Sequence, residues 1–199
     1  MEAVRIVTGT AVPLDRSDVD TDQIIPASWL KRVERTGFGA GLFSSWRDAR
    51  EFVLNDERFV GAEILVAGPN FGTGSSREHA VWAIMDYGFK AVVSPRFGDI
   101  FKNNASKNGL VLCQIDQTVV DRIMAGVEAN PKLEITVDVE RLVIEVPELG
   151  VSEPFPLDPT TQERFLEGLD EIGITLRQDD AIAAYEARRP AFKPSVAAG

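Results

Sequence analysis

One turn constrains this chain more than any other stretch: Gly68-Pro69-Asn70-Phe71-Gly72-Thr73-Gly74-Ser75-Ser76-Arg77-Glu78-His79-Ala80. The apolar run Glu63-Ile64-Leu65-Val66-Ala67 before it is of strand type, and Ala80, Ala83, Ile84 and Tyr87 after it recur at helical spacing. The pattern predicts strand, glycine-rich turn and helix over 63–67, 68–74 and 75–87. Gly68, Gly72 and Gly74 let the backbone bend sharply and let another group approach closely. The unpaired amides at the start of the helix suit an anion, and the Arg77 guanidinium fork matches a carboxylate or phosphate. Ser75-Ser76-Arg77-Glu78 also fits the Ser-x-x-Glu capping box, which on its own would make Ser75 a helix cap. The residues leave both readings of Ser75 open.

The units that follow repeat the alternation. Strands are predicted at 90–94 and 110–115, with helices at 97–106 and 117–128, which implies βαβ units and a largely parallel sheet. The turn then lies at the carboxyl end of its strand, where open α/β sheets place ligands. Upstream, residues 3–14 read as one opening strand ending near Pro13, and Phe43 to Leu54 as a helix packed through Trp46, Phe52 and Val53. Downstream, 132–138 and 141–147 alternate as an antiparallel pair. Pro154, Pro156 and Pro159 mark a connector; 160–170 and 179–188 read as helices and 189–199 as a loose tail. With 199 residues and no clear linker, the expected organisation is one α/β domain over 1–199 with a C-terminal helical extension from about 160.

Composition narrows the function. Hydrophobic residues make up 44% and charged residues 26% of the chain, enough for an ordinary core. There is no apolar run of spanning length and no leader pattern, so a soluble, cytoplasmic protein is expected. The net charge of −10 argues against general nucleic-acid binding. An anionic ligand would therefore need locally concentrated cations. Cys113 is the single cysteine and His79 the single histidine. An iron–sulfur cluster needs several thiolates and a structural zinc about four Cys/His ligands, so chemistry of that kind would need another polypeptide. Cys113 sits in the apolar run 110–115 and reads as a buried, inert thiol.

Two further stretches carry charge. Asp18-Val19-Asp20-Thr21-Asp22 is acidic and turn-rich; it lacks the glycine and terminal glutamate of a calcium loop, and Asp side chains there can simply cap a helix. Trp29-Leu30-Lys31-Arg32-Val33-Glu34-Arg35 lies between Pro26 and Gly37-Phe38-Gly39. Its cations suit a solvated face or a carboxylate ligand, and Trp29, Leu30 and Phe38 could surround an apolar group.

Taken together, Asn70 to Ala80, Asp20-Thr21-Asp22-Gln23-Ile24-Ile25-Pro26, Arg96-Phe97-Gly98-Asp99-Ile100-Phe101, Lys107-Asn108-Gly109-Leu110 and Leu169 to Leu176 with Ala183-Ala184-Tyr185-Glu186 resemble the swivel domain of the aconitase superfamily. Within it they resemble the small subunits of 3-isopropylmalate dehydratase, over nearly the whole chain. The resemblance implies a swivelling β/β/α fold and a larger partner protein that holds a [4Fe-4S] cluster. The implied reaction interconverts 2- and 3-isopropylmalate through 2-isopropylmaleate. It also implies Ser75 as the base, acting as an alkoxide, with Asp22 facing the site, Ser76 and Arg77 as carboxylate ligands, and Lys31 and Arg32 in a substrate-selecting loop. His79 either supports the site or packs. Gln23 stands where aconitases have histidine. A citramalate- or homoaconitate-type hydro-lyase and a non-catalytic anion-binding module remain alternatives. A Ser75–His79 hydrolase pair is excluded because the Gly-x-Ser-x-Gly elbow is missing, and a P-loop because no Gly-Lys-Ser/Thr follows the glycines.

Overall fold

The computed structural model describes residues 1–31 and 36–190. Two four-stranded sheets share the chain. β1 (Ile6–Gly9) and β2 (Ala11–Leu14) follow each other directly but belong to different sheets. The predicted single opening strand is thus two. The switch occurs at Gly9-Thr10, where the Thr10 carbonyl accepts from the Glu63 and Ile64 amides and ties the second sheet to the first strand pair. Gly9 packs so closely on Glu63 that an added Cβ would lie 2.9 Å from its carboxylate.

The second sheet is parallel, in the order β2, β3 (Ile64–Ala67), β4 (Ala91–Ser94), β5 (Val111–Gln114). β2, β3 and β4 are buried along their whole length, as strands covered on both faces must be. The strands pair in sequence order, so each connection between neighbours is a crossover. These connections carry α1 (Thr21–Ile24), α2 (Glu78–Tyr87) and α3 (Asp99–Asn108), with α2 packed against both of the others. α4 (Gln117–Ala129) lies across β2, β3 and β4 and buries Val120, Ile123, Met124 and Val127. Asp116 caps α4 by accepting from the Thr118 amide.

The first sheet is antiparallel, in the order β1, β6 (Ile135–Asp138), β7 (Val143–Val146), β8 (Val151–Pro154). β8 takes up only the first of the predicted connector prolines: Pro154 occupies the end of an edge strand, where its missing N–H costs no ladder bond, and 155–158 connect it to α5 at Pro159. Three helices complete the described chain, α5 (Pro159–Glu167), α6 (Glu171–Leu176) and α7 (Asp179–Ala187). α5 inserts Phe165 into the core, whereas α7 is exposed throughout. The predicted tail falls largely at 191–199, outside the described residues.

Residues 43–54 are not an α-helix. Amide-to-carbonyl bonds run from Trp46 to Phe43, Ala49 to Trp46, Phe52 to Ala49 and Asn55 to Phe52, a series of i→i+3 turns. Phe43, Trp46, Ala49 and Phe52 recur at the same interval. Three residues per turn stacks them on one side, so Phe43 lies parallel to Trp46 at 5.2 Å and Trp46 meets Phe52 edge-on at 5.6 Å. The Arg16 guanidinium covers the Trp46 ring at 4.0 Å. Cys113 is fully buried on β5, and burial pushes its thiol pKa well above the usual range.

The architecture closes around Gly72. Its φ of 75° is costly for any other residue, and an added Cβ would lie 2.3 Å from the Phe101 ring. Gly61 has a similar φ of 81° with nothing within 4 Å. Gly72→Ala is therefore expected to cost roughly 2–4 kcal/mol, a fall of about 5–12 °C in Tm, through strain plus overpacking. Gly61→Ala should cost only the backbone strain, about 1 kcal/mol. Equal melting temperatures for the two variants would remove Phe101 from the explanation.

Candidate active site

The turn 68–77 leaves the carboxyl end of β3 and runs between two other loops that leave β2 and β4. On one side, the Gly72 and Thr73 amides donate to the Val19 carbonyl (2.8 and 3.3 Å), the Thr21 amide donates to the Thr73 carbonyl (2.9 Å), and the Asp18 amide donates to the Pro69 carbonyl (2.8 Å). On the other, Phe71 donates to the Arg96 carbonyl (3.0 Å) and Gly98 donates back to Phe71 (2.9 Å). The parallel ladder thus continues past the strands through the bridges Asp20–Thr73 and Phe71–Phe97. Gly98 is required by this approach: a Cβ there would lie 2.4 Å from the Gly72 carbonyl oxygen. Beneath the turn the fully buried Ser94 hydroxyl lies 2.8 Å from the Gly68 carbonyl and 3.0 Å from that of Arg96. Phe71, Phe97 and Phe101 fill the space below, with Phe71 edge-on to both other rings.

The ladder decides the fate of the predicted cap. α2 begins at Glu78 rather than at 75, with Arg77 in the cap position and no side-chain cap bond. Ser75 lies before the helix, exposed, and its hydroxyl bonds no described residue. Glu78 does not reach back to it. Its carboxylate accepts from Asn108 Nδ2 (2.9 Å), and Asn108 Oδ1 accepts from Trp82 Nε1 (2.9 Å), so Glu78 links α2 to α3. The capping-box reading of Ser75 is therefore set aside. A true capping box exists elsewhere: Asp20 Oδ1 accepts from the Gln23 amide (2.8 Å) and Gln23 Oε1 accepts from the Asp20 amide (2.9 Å), closing the start of α1. Gln23 is spent on that bond.

Two of the predicted site residues meet directly. Asp22 on α1 pairs with Arg77, whose Nη1 donates to its carboxylate and, at 3.5 Å, to the Ile25 carbonyl. The Arg77 side chain is 16% exposed and that of Asp22 54%. The guanidinium is thus held from below, with only Nη1 engaged by described residues. Ser75 and Ser76 stand exposed beside it. The other predicted residues are arranged differently. His79 lies between aromatic rings, 5.3 Å from Phe38 and 4.7 Å from Trp82, a packed position behind the turn. Phe38 is fully buried there, its amide donating to Asp86 Oδ2 (2.9 Å), and so is not open to an apolar ligand group. Lys31 ends a short 3₁₀ turn at 27–31 and is exposed; Arg32 lies outside the described residues. Thr21 is a residue that sequence reasoning misses. Its buried hydroxyl donates to the Ser75 carbonyl at 2.9 Å. The available signal is a hydroxyl residue inside an acidic loop that has no other use for it.

A cavity of about 710 Å³ lies elsewhere, between α3, β5 and α5, floored by Phe97, Leu110, Leu112 and Phe165. It includes none of the turn residues. Among the described residues no group of three or more His, Cys, Asp or Glu is placed to hold a metal ion, and no helix is long and apolar enough to cross a membrane.

Fold and turn together define a swivel domain of the aconitase type, and residues 1–118 match the family described as the aconitase C-terminal domain. Residues 171–196 match a second family, described as the C-terminal domain of the 3-isopropylmalate dehydratase small subunit. The 3-isopropylmalate dehydratase small subunit of Frankia alni is 58% identical over 195 residues, 98% of this chain and 99% of that protein. That of Streptomyces coelicolor is 59% identical over 194 residues, 98% of each. The crystal structure of 3-isopropylmalate dehydratase from Methanocaldococcus jannaschii superposes with a TM-score of 0.65 at 25% identity, covering 91% of this chain and 99% of that one. This chain belongs to the family of 3-isopropylmalate dehydratase small subunits.

Arg77 is where the geometry can be tested directly. Lysine can keep the ion pair with Asp22 but has no fork for a second carboxylate. Arg77→Lys is expected to lower kcat/KM of the assembled enzyme roughly 10- to 100-fold, the value of about 1.5–3 kcal/mol for a charged bidentate contact, with Tm nearly unchanged. Near-normal kinetics would reduce Arg77 to a structural partner of Asp22.

Proposed function

We propose that this chain supplies one half of the active site of a hydro-lyase that interconverts 2-isopropylmalate and 3-isopropylmalate through 2-isopropylmaleate, in leucine biosynthesis. The observation that carries the reading is the turn: an unbonded serine hydroxyl beside a largely buried arginine, at the carboxyl end of a parallel sheet, in a chain of this family. The other half belongs to a large subunit that holds a [4Fe-4S] cluster. This chain does not fit that cluster: its one cysteine is buried on β5. A Lewis-acidic iron on the partner would supply the acceptor for the departing hydroxyl.

The residues of this chain supply binding and proton transfer. The substrate's carboxylate approaches the free edge of the Arg77 guanidinium, with the Ser76 hydroxyl as a second donor and the free amides at the start of α2 adding partial positive charge. Asp22 keeps Arg77 in place without occupying its whole fork. Ser75 Oγ takes the proton from the carbon next to a carboxylate; the C–H electron pair becomes the double bond as the hydroxyl leaves the neighbouring carbon. Rehydration runs the steps in reverse with the carbons exchanged: the hydroxyl adds to the carbon that lost the proton, and Ser75 returns the proton to the carbon that lost the hydroxyl. Serine serves as a base only where its anion is strongly stabilised, and Arg77 with the α2 amides is the stabilising set. Lys31, at the end of the 27–31 turn, and Arg32, which follows it in the sequence, would choose among hydroxy-dicarboxylates.

The isolated chain is expected to show no isomerase activity and to gain it with a cluster-loaded large subunit. In that complex 2-isopropylmalate should be preferred over citramalate and homoaconitate; preference for either of those would reassign the substrate. Because Ser75 caps no helix, Ser75→Ala is a clean probe, expected to lower kcat by about 10³-fold or more with Tm held within about 2 °C, the loss being that of a general base plus its alignment. Wild-type turnover in Ser75→Ala would place the base elsewhere.

A further inference from the structure

We propose that Thr21 is a positioning residue for Ser75, setting the aim of its hydroxyl through the turn's backbone; this rests on the reading of Ser75 as the base. Thr21 is 2% exposed and is one of three polar or charged side chains buried among the described residues, with Ser94 and Asp138. A buried hydroxyl must be paired or it destabilises the fold. Ser94 pairs with the carbonyls under the turn, and Asp138 accepts from the Arg141 amide in the β6–β7 turn. Thr21 alone directs its hydroxyl at a residue of the candidate site.

The geometry of that contact is specific. The Thr21 amide donates to the carbonyl of Thr73, and its hydroxyl donates to the carbonyl of Ser75. Between those two carbonyls lies Gly74, at φ 88°. Gly74 is the residue whose torsions would otherwise let the chain swing, because it lacks a side chain to restrict them. Thr21 therefore grips the backbone on both sides of the most permissive link in the turn. Ser75 itself is exposed, and its carbonyl bond to Thr21 is its only hydrogen bond to a described residue. Thr21 also precedes Asp22 in α1, so the same helical turn that orients Ser75 carries the carboxylate that holds Arg77. Base and carboxylate ligand are registered to one support.

The test uses the assembled two-subunit enzyme. Thr21→Val keeps the shape and removes the hydroxyl; Thr21→Ser keeps the hydroxyl. Misaiming a base by about 1 Å costs on the order of 10²-fold. Thr21→Val should thus lower kcat roughly 10- to 100-fold with KM changed less than about twofold, and Thr21→Ser should recover kcat to within about threefold of wild type. Tm and assembly with the large subunit are measured alongside. If Thr21→Val does not assemble, Thr21→Ala replaces it in the same comparison with Thr21→Ser. A kcat within twofold of wild type for the hydroxyl-free variant, or equal impairment of Thr21→Ser, overturns the proposal. Ser75→Ala separates the two levels. If it is inactive while Thr21→Val is normal, only the positioning role falls. If Ser75→Ala turns over normally, the reading of Ser75 falls and the role of Thr21 falls with it.

Discussion

The site depends on a backbone ladder that outlasts the strands. Beyond β2, β3 and β4 the three segments stay in register as loops, joined through Val19, Thr21, Phe71, Thr73, Arg96 and Gly98. Such loops ordinarily carry function on a rigid scaffold and are themselves loosely held. Here the scaffold's own hydrogen bonding extends into them, so exposed groups at the top follow directly on backbone that is bonded to its neighbours at Phe71, Gly72, Thr73 and the Ser75 carbonyl. The cost is steric. Three segments this close leave no room for side chains at Gly72 and Gly98, and the aromatic rings of Phe71, Phe97 and Phe101 fill what remains.

The same ladder explains which features are legible in the sequence. Strand–helix alternation from 63 to 129 follows from periodicity and needs only local rules, so β3 to α4 lie close to their predicted places. The start of α2 does not. Ser-x-x-Glu satisfies a local capping rule, but the ladder holds the turn back and delays the helix to Glu78, a tertiary contact overriding a local preference. Thr21 is hidden for the same reason, since its partner is 54 residues away. At 43–55 the three-residue interval of Phe43, Trp46, Ala49 and Phe52 is visible in the sequence, but apolar and aromatic content alone reads as helix. β8 is masked by prolines that an edge strand tolerates. Splitting of the opening strand at Gly9-Thr10 depends on Glu63 and Ile64, far along the chain.

Charge shows a similar division between global and local. A chain of net charge −10 is a poor collector of anions by long-range attraction. At the turn, however, the cation is not free charge but an ion pair: Arg77 is held by Asp22, with most of its side chain buried. On the proposed reading, a substrate carboxylate would meet a pre-placed fork at the start of a helix rather than a flexible cation, and so would gain orientation more than net attraction. The partner carboxylate restrains the arginine and tempers its charge, which favours a ligand with matching geometry over any anion that happens by.

Exposure is the remaining constraint, and under the proposed function it accords with an active site divided between two subunits. Ser75, Ser76 and Asp22 all face solvent. In water an alkoxide is strongly disfavoured, and the fields of Arg77 and the α2 amides are screened. The arrangement becomes chemically effective only when another surface covers it and excludes water, because the same donors then act in a medium of lower dielectric constant. Covering must not disturb the aim of the serine. A turn whose serines are exposed while its backbone is bonded to the loops beside it meets both demands on the proposed reading: the open face can be covered and uncovered while Thr21 and the Val19 and Arg96 carbonyls hold the geometry.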